Sequence, residues 1–514
     1  MRRREFLQGT TALAGGAVVA GAMPRRAAAQ GEPQRGGTLI WGHSETTQNL
    51  DMHQTGTAST GRLLQNVHDS IVTIDETFQV VPNLAESFEM SEDGLTYTFN
   101  LRRGVRFHDG SEMTSADVKY SFERCRNPET GAVNFEVFND VDAIETPDDH
   151  TVVIRMARVN APFLFRLAEN GAGVVMPEGS GEIQGTTPVG TGPFRFISRE
   201  FGNEVVLEAF AEHWRGAPYL DRVISREVTE PTVRLTGLET GEFHLINDIP
   251  LDRVERLTGD PSLQVLTWFP LSWAFLNFNH ENPKFQDARV RRAFDLMIDK
   301  EVLVQGALWG QGVTTASPSF PASPSHNEDI EPRAQDVEAA RALLAEAGYG
   351  DGEFELTFKV TTNYPWHVEA TQILVEWFRQ AGVNASIQQL SWSDWLSQCW
   401  VDRDYEMTMM NFFTLWEPDF LYYSLWNSEG AFNYRNISDP EIDRMTSEAR
   451  RVVDPIERAE IYKAIQTRVQ EEALDVVLWF RNGTVAAQPE VGGLDALVHP
   501  NGSNLQFRNV WLTS

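Results

Sequence analysis

Tyr97, Phe99 and Leu101 alternate with Thr96, Thr98, Asn100 and Arg102, the period-two pattern of a strand with one buried face. The turn dipeptides Asp93-Gly94 and Asp109-Gly110 bracket this strand and a short second one carrying Val105 and Phe107. The period then changes. Val118, Phe122 and Cys125 fall on one helical face, and Thr114 with Asp117 three residues on makes a capping box at its start. Further strands are predicted over 38–41, 152–156, 194–197, 204–209, 243–246 and 274–279. Helices are predicted over 232–239, 287–298, 334–347, 368–381, 440–451 and 455–472, with Ser438 and Glu441 capping the fifth. Strands and helices in alternation point to an α/β protein with mainly parallel sheets joined by crossovers. The Pro- and Ser-rich stretch 317–324 reads as a surface loop.

The first residues break this pattern. Arg3-Arg4-Glu5-Phe6-Leu7-Gln8 matches the twin-arginine export signal, followed by an Ala/Gly/Val run and the small-residue cleavage site Ala27-Ala28-Ala29. Residues 1–29 are therefore excluded from the fold, and the expected location is the periplasm. Neither cysteine lies at the cleavage point, so a freely diffusing protein is expected rather than a lipoprotein. No later run approaches the roughly 18 apolar residues that span a bilayer.

Net charge is -30 over the chain and -34 without the signal segment, which holds five Arg and one Glu. Nucleic acid is excluded as a partner, since binding it depends on Lys and Arg neutralising phosphates. The remaining residues, 30–514, are too many for one core and suit two or three lobes. Cys125 and Cys399 are expected to be reduced and buried.

Catalytic chemistry has no signature here. The eleven His show no metal-ligand spacing, and neither a G-x-S-x-G elbow nor a Walker loop is present, so no metal or cofactor is expected. Gly190 and Gly192 do not make a nucleotide loop, because Arg195 holds the third glycine position and Pro193 lacks a backbone donor. Paired carboxylates are inevitable among 73 acidic residues, which leaves a periplasmic hydrolase as an open alternative. Aromatic density is the stronger signal. Trp392, Trp395, Phe412, Phe413, Trp416 and Phe420 crowd the region around a Met-rich strand, and the turn after that strand is expected to lie in a cleft, where ligands of open α/β sheets sit.

The run PNLAESFEMSEDGLTYTFNLRRGVRFHDGSEMTSADVKYSFER at 82–124 resembles the signature of extracellular solute-binding protein family 5, the oligopeptide, dipeptide and nickel binders of ABC importers. TPVGTGPF at 187–194, TGEF at 240–243, DARVRRAF at 287–294, ALLAEAGY at 342–349 and NYRNISDPEID at 433–443 extend the resemblance over nearly the whole chain. It implies a periplasmic binding protein-like α/β fold (class II, cluster C) of three lobes, with the ligand cleft between lobes I and III. Lobe I would comprise 30–55, 187–277 and 484–514, lobe II 56–186 and lobe III 278–483, with chain crossings near Asn277 and Gly483. The implied partners are a small or short oligomeric ligand and an inner-membrane ABC permease, for a monomer that closes on its ligand by a hinge.

In peptide binders of the family, the loop after the first strand and the turn before Glu-Pro give main-chain hydrogen bonds to the ligand. The matching positions are Glu45, Thr46 and Thr47, and Phe412, Phe413 and Thr414. Those relatives place an Asp where Thr414 stands, to pair with the ligand's α-ammonium; a neutral hydroxyl cannot make that charge-assisted bond. Glu417 or Asp419 would then replace the carboxylate, or the ligand lacks a free amine. Rings at Phe412, Phe413 and Trp416 suit an apolar or aromatic ligand face. The expected ligands are peptides or peptide-like oligomers, with an oligosaccharide, opine or metal chelate as the alternative within the same fold.

Overall fold

The computed structural model describes residues 32–55, 58–168, 171–413, 417–499 and 505–513. The twin-arginine segment, Thr414 and Trp416 lie outside them. In the first lobe Thr38–His43 runs parallel to Arg222–Glu227 on one side and to Leu245–Asn247 on the other. Phe194–Glu200 and Glu204–Ala209 form an antiparallel hairpin that continues the sheet from Arg222–Glu227. Leu39, Trp41, Leu207, Val223 and Leu245 point into one core, which also takes Leu63 and Leu64 of the helix Ala58–Leu64 and Leu505 and Phe507 near the C-terminus.

Two long strands leave this lobe and build the next. Gln264–Phe278 and Asp475–Ala487 pair antiparallel, and their ladder breaks where Trp268 pairs with Gly483 but Ser272 already pairs with Arg481. Residues 269–271 thus oppose Asn482, a bulge that bends the ribbon. The first-lobe side of the break joins Leu245–Asn247; the far side joins Met407–Phe413. Asn277, where one crossing was expected, lies beyond the break and pairs with Asp475 and Thr408.

Beyond the break, Phe354–Thr361 and Val383–Leu390 run parallel, connected by the helix Pro365–Gln380. A core of Leu276, Phe294, Phe358, Leu374 and Leu478 fills one face, and Trp273, Leu425, Trp426, Ile465 and Phe480 fill the other. The remaining lobe is a four-stranded antiparallel sheet of Ala85–Met90, Thr96–Leu101, Thr151–Met156 and Val141–Asp148. Tyr97, Phe99 and Leu101 are buried against the helix Ser115–Arg126, whose capping box of Thr114 and Asp117 forms as expected. Cys125 and Cys399 are both free and buried.

Four expectations change. The large sheet is mixed: parallel pairs lie at the Val383–Leu390 end and on both sides of Thr38–His43, antiparallel pairs separate them, and the other end closes in an antiparallel hairpin, because short connections such as 201–203 allow hairpins, which alternation alone does not distinguish from crossovers. Val105 and Phe107 are buried, but only the single bridge Arg106 to Glu112 forms there, since the turn at Asp109-Gly110 returns too soon for a ladder. Asp439, not Ser438, caps Pro440–Ala449, its carboxylate accepting from the N–H groups of Glu441 and Ile442. The 317–324 loop is largely buried: Ser317 Oγ donates to Gln466 Oε1 at 2.5 Å and Ser319 Oγ lies 2.7 Å from Tyr422 Oη, so its hydroxyls are satisfied by protein instead of water.

Gly483 lets the Trp268 indole lie against the backbone at the break, and a methyl there would overlap that ring. Gly483→Ala is expected to lower unfolding free energy by about 1–3 kcal/mol, the cost of overpacking. Denaturant unfolding followed by Trp fluorescence checks this.

Candidate functional site

A charged node closes the first lobe's side of the cleft. Leu245–Asn247 delivers Asn247 and Asp248 to the end of the sheet beside the exit of Thr38–His43, and Asp248 adopts a left-handed φ of 51°. Asn247 Oδ1 accepts from Trp41 Nε1 at 3.0 Å. Asp248 Oδ2 accepts from Arg62 Nη1 at 2.9 Å, Ser44 Oγ at 2.9 Å and Asn247 Nδ2 at 2.7 Å. Burial alone would raise its pKa, but Arg62 and Arg481 hold it well below the usual carboxylate range. Arg234 braces the loop by donating to the carbonyls of Val228, Thr229 and Asp248.

The third lobe faces this node with the loop that leaves Phe354–Thr361. Tyr364 interacts electrostatically with Glu45, Arg481 and Asp248, and burial, then Glu45, pushes its phenol pKa well above normal. Arg481, from the crossing strand Asp475–Ala487, lies over the Trp366 ring at 4.3 Å with Nη2 3.7 Å from Asp248 Oδ1. His367 is fully buried and its pKa falls to about 3, through burial and then Arg481, so the ring is neutral. Trp366 Nε1, Asn411 Oδ1 and Arg481 Nε are buried with no hydrogen-bond partner among the described residues. Buried polar atoms generally find partners, which makes this cluster a candidate contact for a ligand.

Rings extend the third lobe's wall. Phe412 stacks on Phe275 at 5.7 Å and on Phe432 at 6.0 Å; Phe432 meets Trp400 at 5.2 Å, and Trp400 stacks on Tyr434 at 4.8 Å. Phe412, Phe432 and Trp400 are half-buried, whereas Trp395, stacked on Trp392 at 5.5 Å, is fully buried.

Of the residues expected in the site, Glu45 stands at the node, half-buried, interacting with Arg62 and Tyr364, and Thr46 beside it is also half-buried. Thr47 turns inward: its N–H donates to Glu227 Oε1 at 2.8 Å and its carbonyl accepts from Arg199. Phe412 and Phe413 end the Met407–Phe413 strand, which pairs with Gln264–Phe278 on one side, while its pairing with Phe354–Thr361 covers only Met407 and Thr408. Glu417 and Asp419 are buried in arginine pairs, Glu417 Oε2 with Arg458 Nη2 at 2.8 Å and Asp419 with Arg450 Nε at 3.0 and 3.2 Å. Arg62, Asp248, Tyr364, Trp366 and Arg481 were not anticipated. Asp248 follows a predicted strand and Tyr364 follows Phe354–Thr361, which was not predicted; ligands of open sheets bind beyond strand ends. Arg481 was visible as a lone charge inside the apolar run VVLWFRNGTVAA.

Residues 79–434 match the profile of bacterial extracellular solute-binding proteins, family 5 Middle. The chain belongs to this family. Among relatives, the family 5 protein is 29% identical over 466 residues to heme-binding protein A of Haemophilus influenzae, covering 84% of each chain. It is 27% identical over 441 residues to the glutathione-binding protein GsiB of Pectobacterium atrosepticum, covering 83% of this chain and 85% of the relative. The oligopeptide-binding protein AppA of Bacillus subtilis, solved with a nonapeptide, superposes with a TM-score of 0.83 at 22% identity, over 94% of this chain and all of that one. These relatives are binding proteins, and the family is one of bacterial extracellular solute-binding proteins.

The neutral His367 makes stability fall in acid. Its folded pKa of about 3 lies below the ordinary 6.5, so the unfolded chain binds the extra proton first, and the contribution is full above 6.5 and lost as pH falls towards 3. Between about pH 6 and 4, unfolding free energy of the wild type should drop faster than that of His367→Asn, by about 1.4 kcal/mol per pH unit. Urea unfolding across this range checks it; parallel curves contradict it.

Proposed function

We propose that this protein captures peptides or peptide-like oligomers in the periplasm, closes on them by a hinge and delivers them to an inner-membrane ABC permease. The observation that carries the reading is the convergence, at one cleft, of the Glu45 and Asp248 node, the unpartnered polar atoms around His367 and the half-buried ring wall. The C-terminal half of Met407–Phe413 supplies main-chain groups at a sheet edge, a setting for an extended ligand to add as a strand. Relatives named for glutathione or solved with a nonapeptide support the ligand class. In this reading lobes I and III meet at the break between Trp268–Ser272 and Arg481–Gly483, lobe II spans most of 56–186, the protein acts as a monomer and the twin-arginine signal exports it. Glu45, Thr46, Phe412 and Phe413 line the ligand; Thr414 and Trp416, expected beside them from the sequence, lie outside the described residues.

Mass spectrometry of ligand released by denaturing protein purified from periplasm tests the reading. Peptide or peptide-like masses, unchanged by prolonged incubation with the protein, are expected; cleavage of the ligand would point to the hydrolase alternative.

A more specific reading follows from Glu417 and Asp419, whose arginine partners leave neither as an obvious counter-ion for an ammonium, while Thr414 is neutral. The ligand's amino end is then recognised without an ion pair. Acetylating the α-amine of a bound peptide should change affinity by less than about threefold, against the hundredfold or more expected when a buried ion pair loses a partner. Isothermal titration with matched peptides decides it.

A further inference from the structure

Arg481 differs from Arg450 and Arg458 in how its carboxylate is placed. Arg450 and Arg458 each hydrogen-bond a carboxylate. The nearest carboxylate oxygen to Arg481, Asp248 Oδ1, is 3.7 Å away, beyond a hydrogen bond, while Oδ2 of the same group is taken by Arg62, Ser44 and Asn247. The Arg481 side chain is only 6% exposed, and its Nε has no partner among the described residues. Glu45, the other acid of the node, interacts with Arg62 and Tyr364. A guanidinium so enclosed has lost most of its hydration without a matched acceptor, which is costly unless something else supplies one.

Its position says what that is. Arg481 stands immediately beyond the break in the crossing strands, with the first lobe's Asp248 on one side and the Trp366 ring beneath. The ring holds the guanidinium plane and leaves its hydrogen-bonding edge free. Trp366 Nε1, in the first turn of Pro365–Gln380, is a further unpartnered donor, and the neighbouring His367 interacts with Arg481.

We infer that Arg481 is the specificity-determining residue for an acidic group on the ligand, which in the peptide-like ligands proposed above is a carboxylate. The guanidinium fork matches a carboxylate in two parallel hydrogen bonds, and the group docks where the two lobes meet. Closure then brings the acid onto the guanidinium edge. The inference rests on the peptide reading for the identity of the acid but not for its charge.

The test uses the full mature chain and two mixed-sequence tripeptide pools, one with free C-terminal carboxylates and one amidated, titrated by calorimetry. Amidation is expected to weaken binding to the wild type by about tenfold or more, the scale of a lost charge-assisted hydrogen bond. Arg481→Gln should bind both pools with one lowered affinity, and Arg481→Lys, which keeps the charge but not the fork, should fall between. Equal binding of the pools by the wild type overturns the inference while leaving peptide capture standing. If Arg481→Gln does not fold by circular dichroism, the Lys variant decides: an undiminished ratio of acid to amide overturns the inference. If neither pool binds, the peptide reading fails, and sulfate takes over as probe. A rise in thermal midpoint in sulfate over chloride at equal ionic strength, lost in the Arg481 variant that folds, then supports the anion site; no rise, or one that survives the substitution, overturns it.

Discussion

The antiparallel ribbon of Gln264–Phe278 and Asp475–Ala487 is the constraint on which the rest depends. Each strand is hydrogen-bonded into the first lobe at one end and into the third at the other, so the lobes cannot separate, yet the ladder is interrupted between Trp268 and Ser272. The hinge closure proposed above would confine bending to a segment that has few backbone hydrogen bonds to break, while the cores on either side stay close-packed. Function follows from placement: Asp248 is tied to the ribbon just before the break, its N–H donating to the Thr484 carbonyl at 3.0 Å, and Arg481 stands just after it.

Buried ion pairs recur through the lobes. Asp51 with Arg124, Asp295 with Lys300 and Arg333, Glu417 with Arg458 and Asp419 with Arg450 are buried ion pairs that stabilise one arrangement of their lobe. Removing one partner from such a pair leaves an uncompensated charge and is strongly destabilising. Around Arg481, Trp366, His367 and Asn411 buried polar atoms also lack partners among the described residues, as do Glu417 Oε1 and Arg458 Nε within one of those pairs.

Much of the fold was legible in the sequence because it is written locally. Alternation placed Tyr97, Phe99 and Leu101 in a strand, Thr114 and Asp117 spelled the helix start, and family motifs supplied the lobed architecture that periodicity could not. Strand direction was not local: a β-period reads the same in a parallel and an antiparallel pair, so the mixed sheet emerged only from which strands are neighbours. The 317–324 loop misled for a related reason. Its serines look solvent-bound until Gln466 and Tyr422, far along the chain, are brought beside them. The candidate site divided the same way: Glu45, Phe412 and Phe413 were suggested by motif positions, whereas Arg62, Asp248 and Arg481 stand together only through contacts between residues roughly 180 or more apart in sequence.

The central claim is that ligand is held between lobes that close about this one break. Small-angle X-ray scattering of the mature protein, first emptied by denaturation and refolding and then saturated with a ligand shown to bind by calorimetry, tests it most directly. A smaller radius of gyration in the loaded protein, with the cores of the individual lobes unchanged, is the expected result. An unchanged radius at saturation, from an emptied state shown to be open, would contradict hinge closure as the means of capture.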